Sequence, residues 1–226
     1  MLKFIADMKK VVVIHTSLVS IHTLRELFSQ LIPEVEVYNI VDDSLLAEVM
    51  AEGKVSKAII ERMKNHVDSA KIIGADVIFS QCSSMGPAMD MISSSCEIPI
   101  IKIDQAMAEK AVSMGTKIGV VATVSSTMKP SCDLIINVAK RKKKQIQLKQ
   151  GLVDGALDIL LKERDQKRHN EMVLQKIEEL QELCDVIVLA QGSMIVLLPE
   201  LRNIKIPVLT SPELGVRKIR EVLELD

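Results

Sequence analysis

A ten-residue segment occurs twice in this chain. Asp76-Val-Ile-Phe-Ser-Gln-Cys-Ser-Ser-Met85 and Asp185-Val-Ile-Val-Leu-Ala-Gln-Gly-Ser-Met194 share five identities in ten aligned positions, at an offset of 185 − 76 = 109. Each copy opens on an acid, runs through branched apolar residues and stops at a polar turn before an apolar-periodic stretch. That is the pattern of a buried strand, a tight turn and a helix start. Three further matches support it: Lys10–Thr16 with Lys117–Thr123 (offset 107), Val35–Ile40 with Gln145–Gln150 (offset 110), and Ile98–Ile101 with Ile206–Leu209 (offset 108). Offsets this close, spread over the chain, mean one unit written twice.

The order of elements follows from periodicity. Val11–Ile14 reads as a buried strand, and Ile21, Leu24, Leu27, Phe28 and Leu31 recur at helical spacing before Pro33. Val35–Ile40 alternates as a strand, Asp42-Asp43-Ser44 turns into a short helix, and a long helix over about 55–73 stops at Gly74. The Cys82 strand with its helix and the strand Pro99–Ile103 complete the first copy, and Asp104–Met114 is the helix that follows. The second copy repeats the order with strand Lys117–Ala122, helix Thr127–Lys140, strand Ile146–Leu148, a long helix over about 165–183, strand Val186–Ala190, a helix from Ser193 and strand Ile206–Leu209. A last helix spans Pro212–Leu225. Strands alternating with helices imply parallel sheets with right-handed crossovers. The expected fold is α/β: two pseudo-symmetric lobes from an internal duplication, each a four-stranded parallel sheet flanked by helices, with a site in the cleft between them. Lobe 1 is residues 1–103 plus 210–226, and lobe 2 is 104–209. Each copy, about 105 residues, is large enough to bury its own core.

Within that frame Cys82 closes a strand and opens a helix, the edge where open α/β sheets bind ligands. The N–H groups of the turn favour an anion or a thiolate. His15 ends the first strand in the same lobe and so lies at the same sheet edge, where its ordinary pKa of about 6.5 suits a proton relay or a partner for the thiolate. Cysteine is also a common small core residue and a strand-end histidine often only satisfies a carbonyl, so both have a bland reading beside the chemical one. Thr123 reads as an anion cradle between a strand end and a helix start, and Ser126 as a helix cap. Asp42-Asp43-Ser44 reads as an N-cap and not as a metal-ligand run. His22, His66 and His169 read as ordinary helical residues.

A net charge of −1, and a basic run Lys140-Arg-Lys-Lys-Lys144 without interleaved aromatics, argue against nucleic acid and membrane surfaces as partners. The run instead suits a helix end. Four cysteines without metal-ligand spacing, and no apolar run near membrane length, point to free thiols in a cytoplasmic protein with no metal. A homodimer is the default assembly.

The turn Gln81-Cys-Ser-Ser84, Ile118-Gly-Val-Val-Ala-Thr123, Val188-Leu-Ala-Gln-Gly-Ser-Met194 and Pro207-Val-Leu-Thr-Ser-Pro-Glu-Leu-Gly215 together resemble the aspartate/glutamate/hydantoin racemase superfamily over nearly the whole chain. The resemblance implies a cofactor-independent enzyme of amino acid metabolism in which two cysteines address opposite faces of a substrate α-carbon. It implies that the carboxylate of a small substrate is held by turn N–H groups and by Thr16, Ser83, Ser84, Thr123 and Ser193. In glutamate-racemase-like members an acidic residue assisting the thiol stands near the position of His15.

This chain departs from the pattern at the second cysteine, where it carries Gln191, an amide that exchanges no proton near neutrality but donates and accepts hydrogen bonds to a ligand. Two-thiol racemisation is thereby excluded. The expected function is an isomerase that abstracts the α-proton of a small carboxylate with Cys82 as the single thiol base and His15 or Glu213 returning a proton. Glu213 stands opposite Gln105 of the first copy (213 − 105 = 108). A lyase or decarboxylase on the same scaffold, or a non-catalytic carboxylate binder, are the alternatives.

Overall fold

The computed structural model describes residues 8–225. Two four-stranded parallel sheets carry the fold. The first, in the order β2-β1-β3-β4, joins β1 (Lys9–His15), β2 (Val35–Val41), β3 (Val77–Ser80) and β4 (Ile100–Lys102). The second repeats that order as β6-β5-β7-β8, with β5 (Lys117–Ala122), β6 (Gln147–Leu152), β7 (Val186–Leu189) and β8 (Val208–Thr210). Helices α1 (Ile21–Leu31), α2 (Ser44–Glu52), α3 (Lys57–Ile73) and α4 (Gly86–Ser93) belong to the first copy. Helices α5 (Gln105–Met114), α6 (Ser125–Arg141), α7 (Ala156–Asp158) and α8 (Gln166–Gln181) belong to the second, and α9 (Ser211–Val222) closes the chain.

The chain divides into two compact units: one runs up to Ile103 and resumes at Pro212, and the other is Asp104–Ser211. In the first unit the strand period of two sends alternate side chains to opposite faces. Val12, Ile14 and Ile78 join Leu45, Val49, Ile59, Met63, Val67 and Met89 from α2, α3 and α4. Val11, Val13, Val77 and Phe79 join Leu24 and Phe28 of α1 and Val216 and Ile219 of α9. Both faces of the sheet are covered, which is why β1 reads as one apolar run and not as an alternation. Helix α3 forms because Ile59, Met63, Val67 and Ala70 fall on one stripe, Ser56 accepts the Ile59 N–H at 3.2 Å, and Gly74 ends it at φ +81°. In the second unit Val121, Ile187 and Leu189 pack with Val173, Ile177 and Leu180 of α8. Helices α5 and α6 also pack against this sheet.

The acid that opens each repeated segment serves as a clip at the amino ends of the strands. Asp76 accepts from the Lys10 N–H at 2.8 Å and from Lys9 Nζ at 2.9 Å. Asp185 accepts from the Thr116 and Lys117 N–H groups at 2.7 and 2.9 Å. These backbone bonds hold the Asp185 carboxyl below its usual range.

Three sequence expectations are corrected. The strand expected at Ile146–Leu148 is β6, Gln147–Leu152, and its pairing of Lys117 with Gln147, beside that of Lys10 with Glu36, makes the repeat offset there 147 − 36 = 111 instead of 110. It is an edge strand, largely exposed, so burial does not mark its register. The stretch after Ser193 is a 3-10 segment, Gly192–Asn203, containing Pro199, not an α-helix. Ala156–Glu163, to which the sequence pattern assigned no element, forms α7 and a π-helical turn. The last strand is Val208–Thr210, two residues later than expected at its start.

Gly215 lets α9 approach the sheet closely. A Cβ there would lie 2.8 Å from the Ile103 carbonyl oxygen and 2.9 Å from the Phe79 ring. The carbonyl is backbone and yields little. Gly215→Ala is therefore expected to cost about 1–3 kcal/mol, read as a lower Tm and a lower urea midpoint. Wild-type stability in that variant would show that α9 is not held this close.

Candidate functional site

Strand register builds the site in the first unit. Ile14 pairs with Ser80, so two residues further on Thr16 comes beside Cys82, just past the strand ends. Cys82 is half-buried and leads into a 3-10 turn, Ser83–Met85, that runs directly into α4. Its underside packs on the cluster around Val12 and Ile14. Burial pushes the thiol above its usual pKa, against the pull of the Thr16 hydroxyl, the Ser84 and Met85 N–H groups and the Ser84 hydroxyl. The resting sulfur at neutral pH is therefore a thiol, surrounded by donors that favour it once ionised.

His15 does not stand among those leading groups. It is fully buried and its Nε2 lies 2.8 Å from Asn39 Oδ1 on the neighbouring strand. Since an amide oxygen only accepts, Nε2 carries the hydrogen and donates, while the buried Nδ1 has no partner among the described residues. Burial lowers the pKa of the ring, with the Asn39 bond opposing. A neutral imidazole bonded to Asn39 cannot be the cation expected to hold Cys82 as a thiolate. Asn39 escaped the sequence reading because its partner lies 24 residues away on another strand. His15 and Asn39 have no polar counterparts as a pair in the second unit, where Ala122 and Gln150 stand at the matching positions (15 + 107 and 39 + 111).

The second unit repeats the threonine contact with a different partner. Val121 pairs with Leu189, so Thr123 comes beside Gln191. The Thr123 N–H donates to Gln191 Oε1 at 2.6 Å and its hydroxyl to the same oxygen at 3.1 Å. Thr16 and Thr123, expected to bind a substrate carboxylate, are thus directed to residues 82 and 191. A hydroxyl has one hydrogen to give. Once Thr123 gives it to Gln191, only lone pairs remain, and these do not hold a carboxylate.

The other expected residues lie as follows. Ser83 and Ser84 are buried in the turn after Cys82. Ser193 is exposed on the 3-10 segment. Glu213 is exposed in the first turn of α9 and bonded by Arg217 Nε at 2.9 Å, an i,i+4 ion pair on the solvent face. Helix α6 begins at Ser125 with Val124 at its N-cap, so Ser126 lies inside the first turn and is not the cap residue. Asp42 does not cap α2. Burial would raise its carboxyl, but Ser44 at 2.7 Å, Arg62 at 2.5 Å and His66 at 3.0 Å bring it down to about 2. The basic run serves helix ends: Lys142 and Lys144 bond the Glu109 and Val112 carbonyls of α5 at 3.2 and 2.5 Å. Among the described residues no group of three or more His, Cys, Asp or Glu is placed to hold a metal, and no helix is long and apolar enough to cross a membrane.

The His15 geometry has a consequence in acid. With its folded pKa below the unfolded value of about 6.5, the unfolded chain takes up the proton first, so stability falls as pH drops through 6.5, by at most about 1.4 kcal/mol per unit. The fall ends at the folded pKa. His15→Gln, which retains a donor for Asn39, is expected to flatten the Tm against pH just below about 6.5. Identical slopes for the two proteins would show that His15 titrates as it does in the unfolded chain.

Residues 11–219 match the family model for Asp/Glu/Hydantoin racemase. Among solved structures, glutamate racemase isoform RacE1 from Bacillus anthracis superposes with a TM-score of 0.73 at 13% identity, covering 96% of this chain and 82% of that one. A putative Asp/Glu racemase from Yersinia pestis gives 0.73 at 16%, covering 96% and 100%. An allantoin racemase from Klebsiella pneumoniae gives 0.72 at 16%, covering 96% and 88%. These three share the fold. No curated protein matches the chain. The duplicated parallel sheets and a match extending through both of them make the chain a member of the Asp/Glu/hydantoin racemase family, an enzyme family of racemases.

Proposed function

We propose that the protein is an isomerase that removes the α-proton of a small carboxylate, an amino acid or a related acid, with Cys82 as its single thiol base. The observation that carries this reading is the setting of Cys82. A half-buried sulfur at the carboxyl end of β3 receives the Thr16 and Ser84 hydroxyls and the Ser84 and Met85 N–H groups. A thiol has little use for four donors. A thiolate has.

In this mechanism the thiol first loses its proton to solvent. The thiolate then takes the α-hydrogen, leaving a carbanion whose charge spreads onto the substrate carboxylate. Return of the proton from sulfur restores the original hand, whereas delivery of a solvent proton to the far face inverts it. Gln191, at the position matching Cys82 in the second unit, supplies no proton, because its amide does not ionise near neutral pH. Thr16 acts as a positioning residue for the sulfur, and Ser83 holds the carboxylate. A similar carbanion, formed by loss of carbon dioxide or a carbon fragment in place of the α-proton, serves a lyase, and the absence of an acidic side chain at position 191 favours that second reading. The homodimer and the cytoplasmic setting expected above belong to this proposal.

Racemisation or exchange is measured by proton NMR in heavy water on a panel of small α-substituted carboxylates. The wild type is expected to wash deuterium into the α-position of at least one. Cys82→Ala and Cys82→Ser are expected to lose this at least 1,000-fold, on the order of an essential base. Carbon dioxide or fragment release without exchange would replace the isomerase by the lyase, and full exchange in Cys82→Ala would sink both. Because the thiol lies above its ordinary pKa, the thiolate fraction grows tenfold per pH unit below it. The rate is therefore expected to climb from pH 7 to 9 without levelling, and a plateau near pH 7 would contradict the protonated resting state.

A further inference from the structure

His15 is held more firmly than a buried strand end requires. Asn39 pairs with Val13, so its side chain stands on the same face of the sheet as that of His15, one diagonal step away on the edge strand β2. The ring is fully buried and donates from Nε2 to Asn39 Oδ1 at 2.8 Å, while Nδ1 is buried without a partner among the described residues. An apolar side chain, such as Ala122 at the matching position of the second unit, would leave no nitrogen unsatisfied. The backbone is pinned at the same point: the Ile14 carbonyl accepts the Gln81 N–H and the His15 carbonyl accepts the Asp42 N–H, both at 3.0 Å. The next residue, Thr16, opens the bend after β1. Its side chain falls on the opposite face, where Cys82 packs on the cluster that holds Ile14.

We propose that the bond between His15 and Asn39 positions Thr16: it fixes the rotation of the chain at the end of β1 and so aims the Thr16 hydroxyl at Cys82. The inference rests on the reading of Cys82 as a thiol base and adds two positioning residues to it. The second unit shows why the first needs them. There the Thr123 N–H and hydroxyl both bond Gln191 Oε1, at 2.6 and 3.1 Å, and two bonds to one oxygen orient the threonine without further support. In the first unit the contact to the sulfur runs through the Thr16 hydroxyl, a single rotatable group. Its direction depends on the backbone behind it, and a ring tied to the neighbouring strand holds that backbone still. His15 and Asn39 act through Thr16 and move no proton.

The test follows alkylation of Cys82 in the folded full chain by iodoacetamide, at a fixed and mildly alkaline pH, with each cysteine resolved by mass spectrometry. It needs no substrate. Cys96, half-buried beyond the other end of α4, is the internal control. Thr16→Val is expected to slow Cys82 about threefold, because the roughly tenfold loss of thiolate from one missing bond is partly offset by a more nucleophilic sulfur. His15→Leu and Asn39→Leu are expected to slow it about twofold or more with Cys96 unchanged. Asn39 is exposed on its strand, so its replacement breaks the bond without emptying the core. His15→Gln, which still donates to Asn39, is expected to keep the wild-type rate. In a Thr16→Val background neither leucine substitution is expected to slow Cys82 further, a pattern that a merely structural histidine would not give. Further slowing in that background overturns the inference, and so do a wild-type rate in Asn39→Leu, equal losses in His15→Gln and His15→Leu, or parallel slowing of Cys96. The two readings fail separately. The alkylation pattern without any exchange in heavy water removes the proposed chemistry and retains the positioning, whereas exchange without the pattern leaves Cys82 as the base and takes His15 and Asn39 out of its support.

Discussion

Parallel pairing of β1 with β3, and of β5 with β7, is the constraint on which the rest of this molecule depends. In a parallel ladder the side-chain period of two is shared by both strands, and a slip of one residue would send every side chain to the opposite face. The pairing Ile14 to Ser80 therefore fixes that Thr16 meets Cys82, and Val121 to Leu189 fixes that Thr123 meets Gln191. At the other end of the same strands Asp76 and Asp185 hold the neighbouring strand by its N–H groups. Register is thus anchored at the amino ends and expressed at the carboxyl ends, where Cys82 and Gln191 meet their threonines.

Much of this was legible in the order of residues, and the parts that were not share a physical cause. Strands buried on both faces, such as Val11–Ile14 and Val186–Leu189, announce themselves as apolar runs, and the repeat offsets read from them agree with the pairing. Strand β6 sits at a sheet edge with Gln147, Lys149, Gln150 and Leu152 exposed, so its length and its repeat offset were misread. The 3-10 course of Gly192–Asn203 was hidden behind an apolar spacing that suits either helix type, although Pro199 was a visible warning. At the site, Cys82 and Gln191 were legible through the repeat. The bonds of His15 to Asn39 and of Glu213 to Arg217 were not, because a side chain's partner is chosen by packing and local reach, which strand order does not determine.

The two units are alike in frame and different in polarity. Each presents a strand-end threonine to the residue heading the next turn, but one receives a sulfur and the other an amide oxygen. The first unit alone adds a buried histidine, held neutral and tied to Asn39. The duplicated frame thus carries a thiol at the head of one turn and, at the matching position of the other, an amide that only makes hydrogen bonds.

The high pKa of Cys82 bears on how the protein endures in a cell. Peroxide and electrophilic metabolites attack the anionic form of a cysteine, so a sulfur that spends most of its time protonated and half-covered offers them little. The same burial that makes the thiolate scarce makes it a strong base in the moments when it forms. In the proposed mechanism one placement of one atom thus gives durability against oxidative damage together with strength toward a reluctant carbon acid, and it slows turnover at neutral pH.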